Sequence, residues 1–436
     1  MGTQVYIVND VDLLRKPLRD EGAEFLIPFN SFVALLGSGS QMTDPHKHTA
    51  WRKLMMLATG SGALERMFPD ILRLVQGHVH SWAEVGSFDM FGAATELSLD
   101  LATHVLIGIR FTQTDPQWIR NEFKCFMRGL YVLPIQLPGT AYSRALQARK
   151  NLAQRLWGEL GVEVKRVTEK VQTSKAAGIE PSAMHQGCSQ LGMLEAQITA
   201  QLDWTEGGQG ITKDDATGYL LGNLVGSADT TRGGMFHTMA LLAMSDRVRG
   251  EVVKEQLQLV TAHGPDLTFQ QLHEMPYLDA VVREVMRLLP ASSGSFRRLL
   301  EDTQMGAYTL PKGSIIWWHA GLLHATDPVL WDGNTRGGLP LHMDWEAHLE
   351  QAFLPERWLS KEGRPRHYYT FGSGRHLCLG MQLYNMEVKM LVAEMARRGD
   401  WHLLDEKMMS KADKYPLTKA KPGTDATVFT VRPATL

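Results

Sequence analysis

One cysteine in this chain has a setting that ordinary buried cysteines lack. Cys378 lies in Phe371-Gly-Ser-Gly-Arg-His-Leu-Cys-Leu-Gly-Met-Gln-Leu383, with Gly372 and Gly374 before it and Gly380 after it. Glycines this dense let the backbone take positive φ and approach another group closely. An apolar helical pattern follows, and the amides and dipole at that helix's start favour thiolate over thiol. A thiolate so placed has the look of a metal ligand. The alternative is a structural cysteine in a turn, the commoner fate of a lone cysteine, and the glycine spacing argues against it.

Two further sets could do chemistry or support it. Glu284 and Arg287 stand at i and i+3 in an apolar surround of Val281, Val282, Val285, Met286 and Leu288, which marks a buried ion pair rather than a solvated one. Asp229 and Thr230 interrupt a nearly uncharged stretch from Asp215 to Met244. A charge inside an apolar helix costs free energy unless it is used or paired. Hydroxyl side chains there bond back to the i−4 carbonyl and open the helix.

The elements that must position these groups are mostly helical. Apolar spacing predicts long helices between Phe68 and Val171, and a helix apolar on all sides over 215–244, buried through the middle of the protein. Another covers Tyr277–Leu289 and ends at Pro290; Asp44 and Pro45 open one that runs past Arg52. Asp10 caps a helix from Val11 to about Glu21, with Pro17 as an interruption. Short strands are expected at Val5–Val8 (buried), at Phe296–Leu300, in a hairpin near Ala307–Leu310, and at Ser314–Trp318, Trp401–Leu404 and Thr427–Val431. Residues 27–41 read as a loop, 172–215 as a loop-rich connection and 332–349 as a surface insertion. The fold class is mainly α with small β-sheets, an α+β chain with no linker that forces a split of residues 1–436 into domains.

Composition removes several function classes. With 45 basic and 47 acidic residues the net charge is −2, so there is no nucleic-acid footprint. Cys125, Cys188 and Cys378 are odd in number and far apart, which fits neither a disulfide framework nor a structural zinc site and points to a reducing, cytoplasmic setting. No stretch reaches the ~18 apolar residues of a membrane span. His273-Glu274 lacks the second histidine of a zinc-protease motif, and the Gly-Ser-Gly stretches are not dinucleotide fingerprints.

Phe371-x-x-Gly374-x-x-x-Cys378-x-Gly380 resembles the heme-ligand signature of the cytochrome P-450 family, and other segments agree in order. Glu284-x-x-Arg287 resembles the family's E-x-x-R motif, and Pro355-Glu-Arg357-Trp358 its P-E-R-F segment, whose arginine completes a buried triad. Gly226-Ser-Ala-Asp229-Thr230-Thr231 resembles the oxygen-groove stretch, with Ser227 where the family has glycine. The resemblance implies a fold with heme b between the long central helix and the helix after the cysteine loop. Cys378 would be the iron ligand, with Phe371, Gly372 and Gly380 lining its loop. Asp229 and Thr230 would relay protons. His48, Arg52, Arg297 and His376 would hold the propionates, which as anions need cationic partners.

The implied activity is a monooxygenase that uses O2 to hydroxylate or epoxidise a hydrophobic organic substrate, lipid, terpenoid, retinoid or polyketide-like. A thiolate ligand favours O–O cleavage. Electrons would come from a ferredoxin, flavodoxin or reductase, since the chain shows no flavin or nicotinamide motif, with Arg364, Arg366 and Arg375 as docking candidates. The substrate would meet Ile27–Gln41, the central helix near Gly222, Val225 and Gly226, Ala291–Phe296 and the tip Tyr415-Pro-Leu417. The family's Pro-rich leader, first helix and first strand have no counterpart before Val5, so a shortened member or a trimmed chain is expected. Two other readings stay open: a peroxide-using heme-thiolate peroxygenase or isomerase, and a non-catalytic heme-binding sensor.

Overall fold

The computed structural model describes residues 4–36, 48–49, 52, 55–56, 59–107, 116–178, 213–333, 338–404 and 426–431. In chain order the helices are α1 (Val11–Leu14), α2 (Asn30–Leu36), α3 (Ser61–Val85), α4 (Met90–Asp100), α5 (Pro116–Arg128), α6 (Ala141–Ala176), α7 (Lys213–Leu224), α8 (Thr230–Met244), α9 (Asp246–His263), α10 (Pro276–Leu288), α11 (Ala320–Ala325), α12 (Leu349–Ala352) and α13 (Met381–Arg398). The strands are β1 (Val5–Ile7), β2 (Ala23–Leu26), β3 (Ser87–Asp89), β4 (Gly294–Leu299), β5 (Thr303–Met305), β6 (Tyr308–Leu310), β7 (Ile315–His319), β8 (Gly399–Leu403) and β9 (Ala426–Val431). The chain divides into two compact units.

The first unit comprises residues 1–26, 72–97 and 229–436. It holds all three sheets, ordered β1-β7-β4-β2, β3-β9-β8 and β5-β6. β1 joins β7 in parallel, and the other pairs are antiparallel. Helix α8 is buried almost all round, as a sequence with Arg232 as its one formal charge and apolar residues on every side requires. It packs on α13 through Gly234, where a Cβ would overlap the Tyr384 side chain. Trp401, wholly buried, donates from its indole nitrogen to the Met239 carbonyl (3.0 Å) and ties β8 to the same helix.

The second unit comprises residues 27–71 and 98–228. Its core joins Leu35 of α2, Phe123 and Phe126 of α5, Leu152 and Leu156 of α6 and Leu220 and Leu224 of α7. Gly218 of α7 lies against the Leu36 carbonyl, which leaves no room for a side chain.

Several expectations are corrected. β1 is an edge strand, with Val5 and Ile7 more than half exposed, because pairing with β7 covers only one side and Val8 alone turns inward. The stretch read as a loop over 27–41 holds α2; Pro28 and Gly37 flank a helix rather than break one. Asp10 does cap α1, accepting from the Asp12 and Leu13 amides, but the helix ends at Leu14 and gives way to a 3-10 turn, Pro17–Arg19. The helix α6 runs into the stretch read as loop-rich, and residues 179–212 lie outside the described residues. The stretch read as a surface insertion is not all surface: His342, Met343 and Trp345 are buried.

Candidate active site

The cysteine loop is closed by its own backbone. The Cys378 amide donates to the Phe371 carbonyl and the Gly372 amide to the Tyr369 carbonyl, both at 2.9 Å. Gly372 (φ 73°) and Gly374 (φ 68°) take the left-handed conformation that other residues avoid. At Gly374 a Cβ would also overlap the Leu18 carbonyl, so the N-terminal turn Pro17–Arg19 is seated directly on the loop. Gly380 caps α13, and Cys378, with an exposed side chain, stands just ahead of that helix's N-terminus. Phe371 packs edge-on against Tyr384 of α13 (centroids 5.5 Å apart).

A buried network holds this loop from below. The Glu284 carboxylate takes Arg287 through both oxygens (2.8 and 2.9 Å), Arg357 at 2.9 Å and the Trp358 indole at 2.8 Å. Burial pushes the Glu284 carboxyl up, but Arg287 and Arg357 outweigh it and hold the group below the usual carboxylate range. Arg287 also reaches the His342 carbonyl (2.7 Å) and Met343 sulfur (3.0 Å). Thr370 donates to the Met286 carbonyl (2.9 Å), linking the loop to α10.

Sequence reasoning missed His324 and Asp327. His324 accepts the Tyr369 amide at Nε2 (2.9 Å), so Nδ1 carries the proton and donates to the Arg287 carbonyl (2.8 Å). Burial pushes His324 down to about 3, keeping it neutral. Asp327 accepts the Arg366 and His367 amides. A histidine and an aspartate in Leu323-His324-Ala-Thr-Asp327-Pro carry no local signal beyond their proximity to a proline.

Two expected propionate partners meet on an unexpected acid. Asp20, the C-cap of the 3-10 turn, lies 3.3 Å from Arg297 Nε through one oxygen and 3.1 Å from His376 Nε2 through the other. Phe25 stacks on the His376 ring (centroids 4.3 Å, 15°) and lies under the Arg297 guanidinium (4.8 Å). Burial pushes Arg297 down to about 10, with Asp20 opposing the fall. Burial alone would raise Asp20, but His376, Arg297 and Arg375 hold it below the usual carboxylate range. Arg297 Nη2 has no acceptor among the described residues, so an anion would complete its set.

On α8, Asp229 and Thr230 stand where the chain leaves a π-helical turn, Val225–Asp229. Ser227 donates back to the Asn223 carbonyl (2.6 Å), the hydroxyl behaviour that loosens a helix. Asp229 is nearly buried and forms an ion pair with Arg232, whose guanidinium lies 4.8 Å over the Phe91 ring. Arg232 was not anticipated. His48 and Arg52, one helical turn apart, belong to the other unit, as do Gly222, Val225 and Gly226. Ala291 is buried and Arg364, Arg366 and Arg375 are exposed, whereas Asp44, Pro45 and Tyr415–Leu417 lie outside the described residues.

An exposed thiol on a glycine loop and a buried guanidinium with an open edge suit an iron porphyrin bearing carboxylates. No described helix is long and apolar enough to cross a membrane. A putative cytochrome P450 120 of Synechocystis sp. is 27% identical over 371 residues, 85% of this chain and 74% of that one. A beta-amyrin 28-monooxygenase of Saponaria officinalis is 24% identical over 382 residues, 86% of this chain and 70% of that one. The structure of a retinoic acid bound cyanobacterial CYP120A1 superimposes with a TM-score of 0.80 at 24% identity, covering 99% of this chain and 90% of the other, and so shares the fold. The cytochrome P450 family model matches residues 1–333 and 350–426, and the chain belongs to that family of heme monooxygenases.

Proposed function

We propose that residues 1–436 work as one oxygenase domain that hydroxylates or epoxidises a hydrophobic terpenoid or retinoid-like substrate, with Cys378 as the iron ligand and electrons from a ferredoxin, flavodoxin or reductase. Heme b is the family's cofactor, and when bound it supplies the activation of O2 that no side chain here could perform. The observation that carries the reading is the exposed Cys378 thiol, held by the Phe371 carbonyl and by two left-handed glycines at the head of α13.

The remaining roles fall to this chain's own groups. Phe371, Gly372 and Gly380 shape the floor and leave the sulfur accessible. Arg297, His376, His48 and Arg52 hold the propionates. Asp229 and Thr230, at the opened start of α8, would relay protons to the chemistry that a bound heme supplies. The substrate class is supported by the retinoic acid bound to the similar cyanobacterial protein and by the name of the Saponaria relative.

The test is the absorbance of the reduced protein under carbon monoxide. A far-red-shifted Soret band is expected, and Cys378→Ser should abolish it while heme still binds; a variant that kept the band would remove Cys378 from the role. Retinoic acid and beta-amyrin, titrated separately, should shift the Soret band of the oxidised protein if the substrate class is right, and no response to either would reject it.

A further inference from the structure

We propose that Asp20 is a built-in counter-anion of the propionate seat: it engages Arg297 and His376, on which a heme carboxylate would depend, and thereby weakens the grip on the heme. The inference rests on the proposal that Arg297 and His376 face a propionate. Asp20 is the only non-glycine at positive φ (59°) among the described residues, a conformation that aspartate and asparagine tolerate best. Its carboxylate meets Arg297 with one oxygen and His376 with the other (3.3 and 3.1 Å), with Arg375 also acting on it through its charge.

The backbone at Asp20 is held in place. Its amide is tied to the Pro17 carbonyl (3.1 Å), and the turn is seated on Gly374. A propionate reaching Arg297 therefore meets a second carboxylate on the same guanidinium. Arg297 and His376, in turn, do not depend on Asp20 alone for position. Arg297 Nε donates to the Pro17 carbonyl (3.1 Å) and Nη1 to Ser295 and the Phe296 carbonyl (3.0 and 2.9 Å). Phe25 packs on both the His376 ring and the Arg297 guanidinium. Removing the charge while keeping the shape leaves Arg297 and His376 in place and frees them for the heme. The charge effect thus outweighs the positional one.

The experiment compares the heme-loaded protein with Asp20→Asn, which keeps the left-handed turn and the side-chain volume. Heme transfer to an excess of apomyoglobin should be roughly three- to tenfold slower in the variant, the size of one screened charge interaction. The heme-free variant should melt at a lower temperature, since buried Arg297 loses its counter-charge. Heme loss that is unchanged or faster in the variant overturns the proposal. Iron protoporphyrin IX dimethyl ester, which has no propionate charge, separates the two levels of the argument. The difference between the proteins should vanish with the ester, and a difference that persists overturns the role of Asp20. If the wild type retains ester and free-acid heme equally well, the propionate seat itself is wrong.

Discussion

Gly234 of α8 lies so close to Tyr384 of α13 that a Cβ at position 234 would fall 2.6 Å from the tyrosine Cζ and overlap its hydroxyl oxygen. Both residues are buried, so the ring has little room to move away. Gly234→Ala should therefore destabilise the protein by about 1–3 kcal/mol, the usual cost of overpacking, read as a fall in melting temperature. Tyr384→Phe should not rescue it, because the ring carbons overlap as well as the oxygen.

Glu284 carries two guanidiniums and an indole in a site with no solvent contact. Glu284→Gln keeps the volume but leaves Arg287 and Arg357 without their shared anion. The expected cost is about 3–5 kcal/mol, measured by denaturant unfolding. Because Arg287 also bonds the residue-342 carbonyl and its own carbonyl holds His324, the variant should lose heme faster as well.

Two buried groups give stability opposite slopes with pH. His324 has a folded value of about 3 against 6.5 for a free histidine. The unfolded chain therefore binds a proton the folded one refuses, and stability falls as pH drops from 6.5 toward 3. His324→Phe should remove that slope while lowering stability throughout, as the Tyr369 amide loses its acceptor.

Glu387 of α13 is raised to about 8 by burial alone, from 4.5. Its effect is absent below 4.5, and stability is lost as pH rises toward 8. Glu387→Gln should flatten the curve across this window and leave the variant more stable than wild type at pH 8 by about 2–4 kcal/mol. Urea titrations at pH 5 and pH 8 would check both residues.

Asp229 and its Arg232 partner make a kinetic prediction. Asp229→Asn should keep heme content and the carbon monoxide band yet lower turnover by on the order of 10²-fold, as expected when a positioned proton-transfer group is lost, with reductant consumed in excess of product. Arg232→Leu strips a nearly buried carboxylate of its counter-ion and should cost stability, which the Asp229→Asn change should partly restore in the double variant.

What could be read from sequence was what is local. The loop Phe371–Leu383, the pair Glu284/Arg287 and the opening near Ser227 each declare themselves within a dozen residues, since glycine φ, helical spacing and i−4 back-bonding are short-range effects. Asp20 meets His376 across 356 positions, so no window contains the relationship. α2 was hidden for a different reason: its apolar residues sit between a proline and two glycines, and burial against α7 overrides those flanks. For β1, hydrophobic character suggested burial, but strand order alone decides which strand is the edge.

The seat of the N-terminal turn on Gly374 also has a consequence for biogenesis. The ribosome releases Pro17–Asp20 long before it has made Gly374, while residues 27–71 and 98–228 can already collapse around their own core. The turn can meet Arg297 earlier, but its seat on Gly374 must wait until nearly the whole polypeptide is available. The pairing is of very high contact order, so the cysteine loop gains this support only after almost all of the chain has been made.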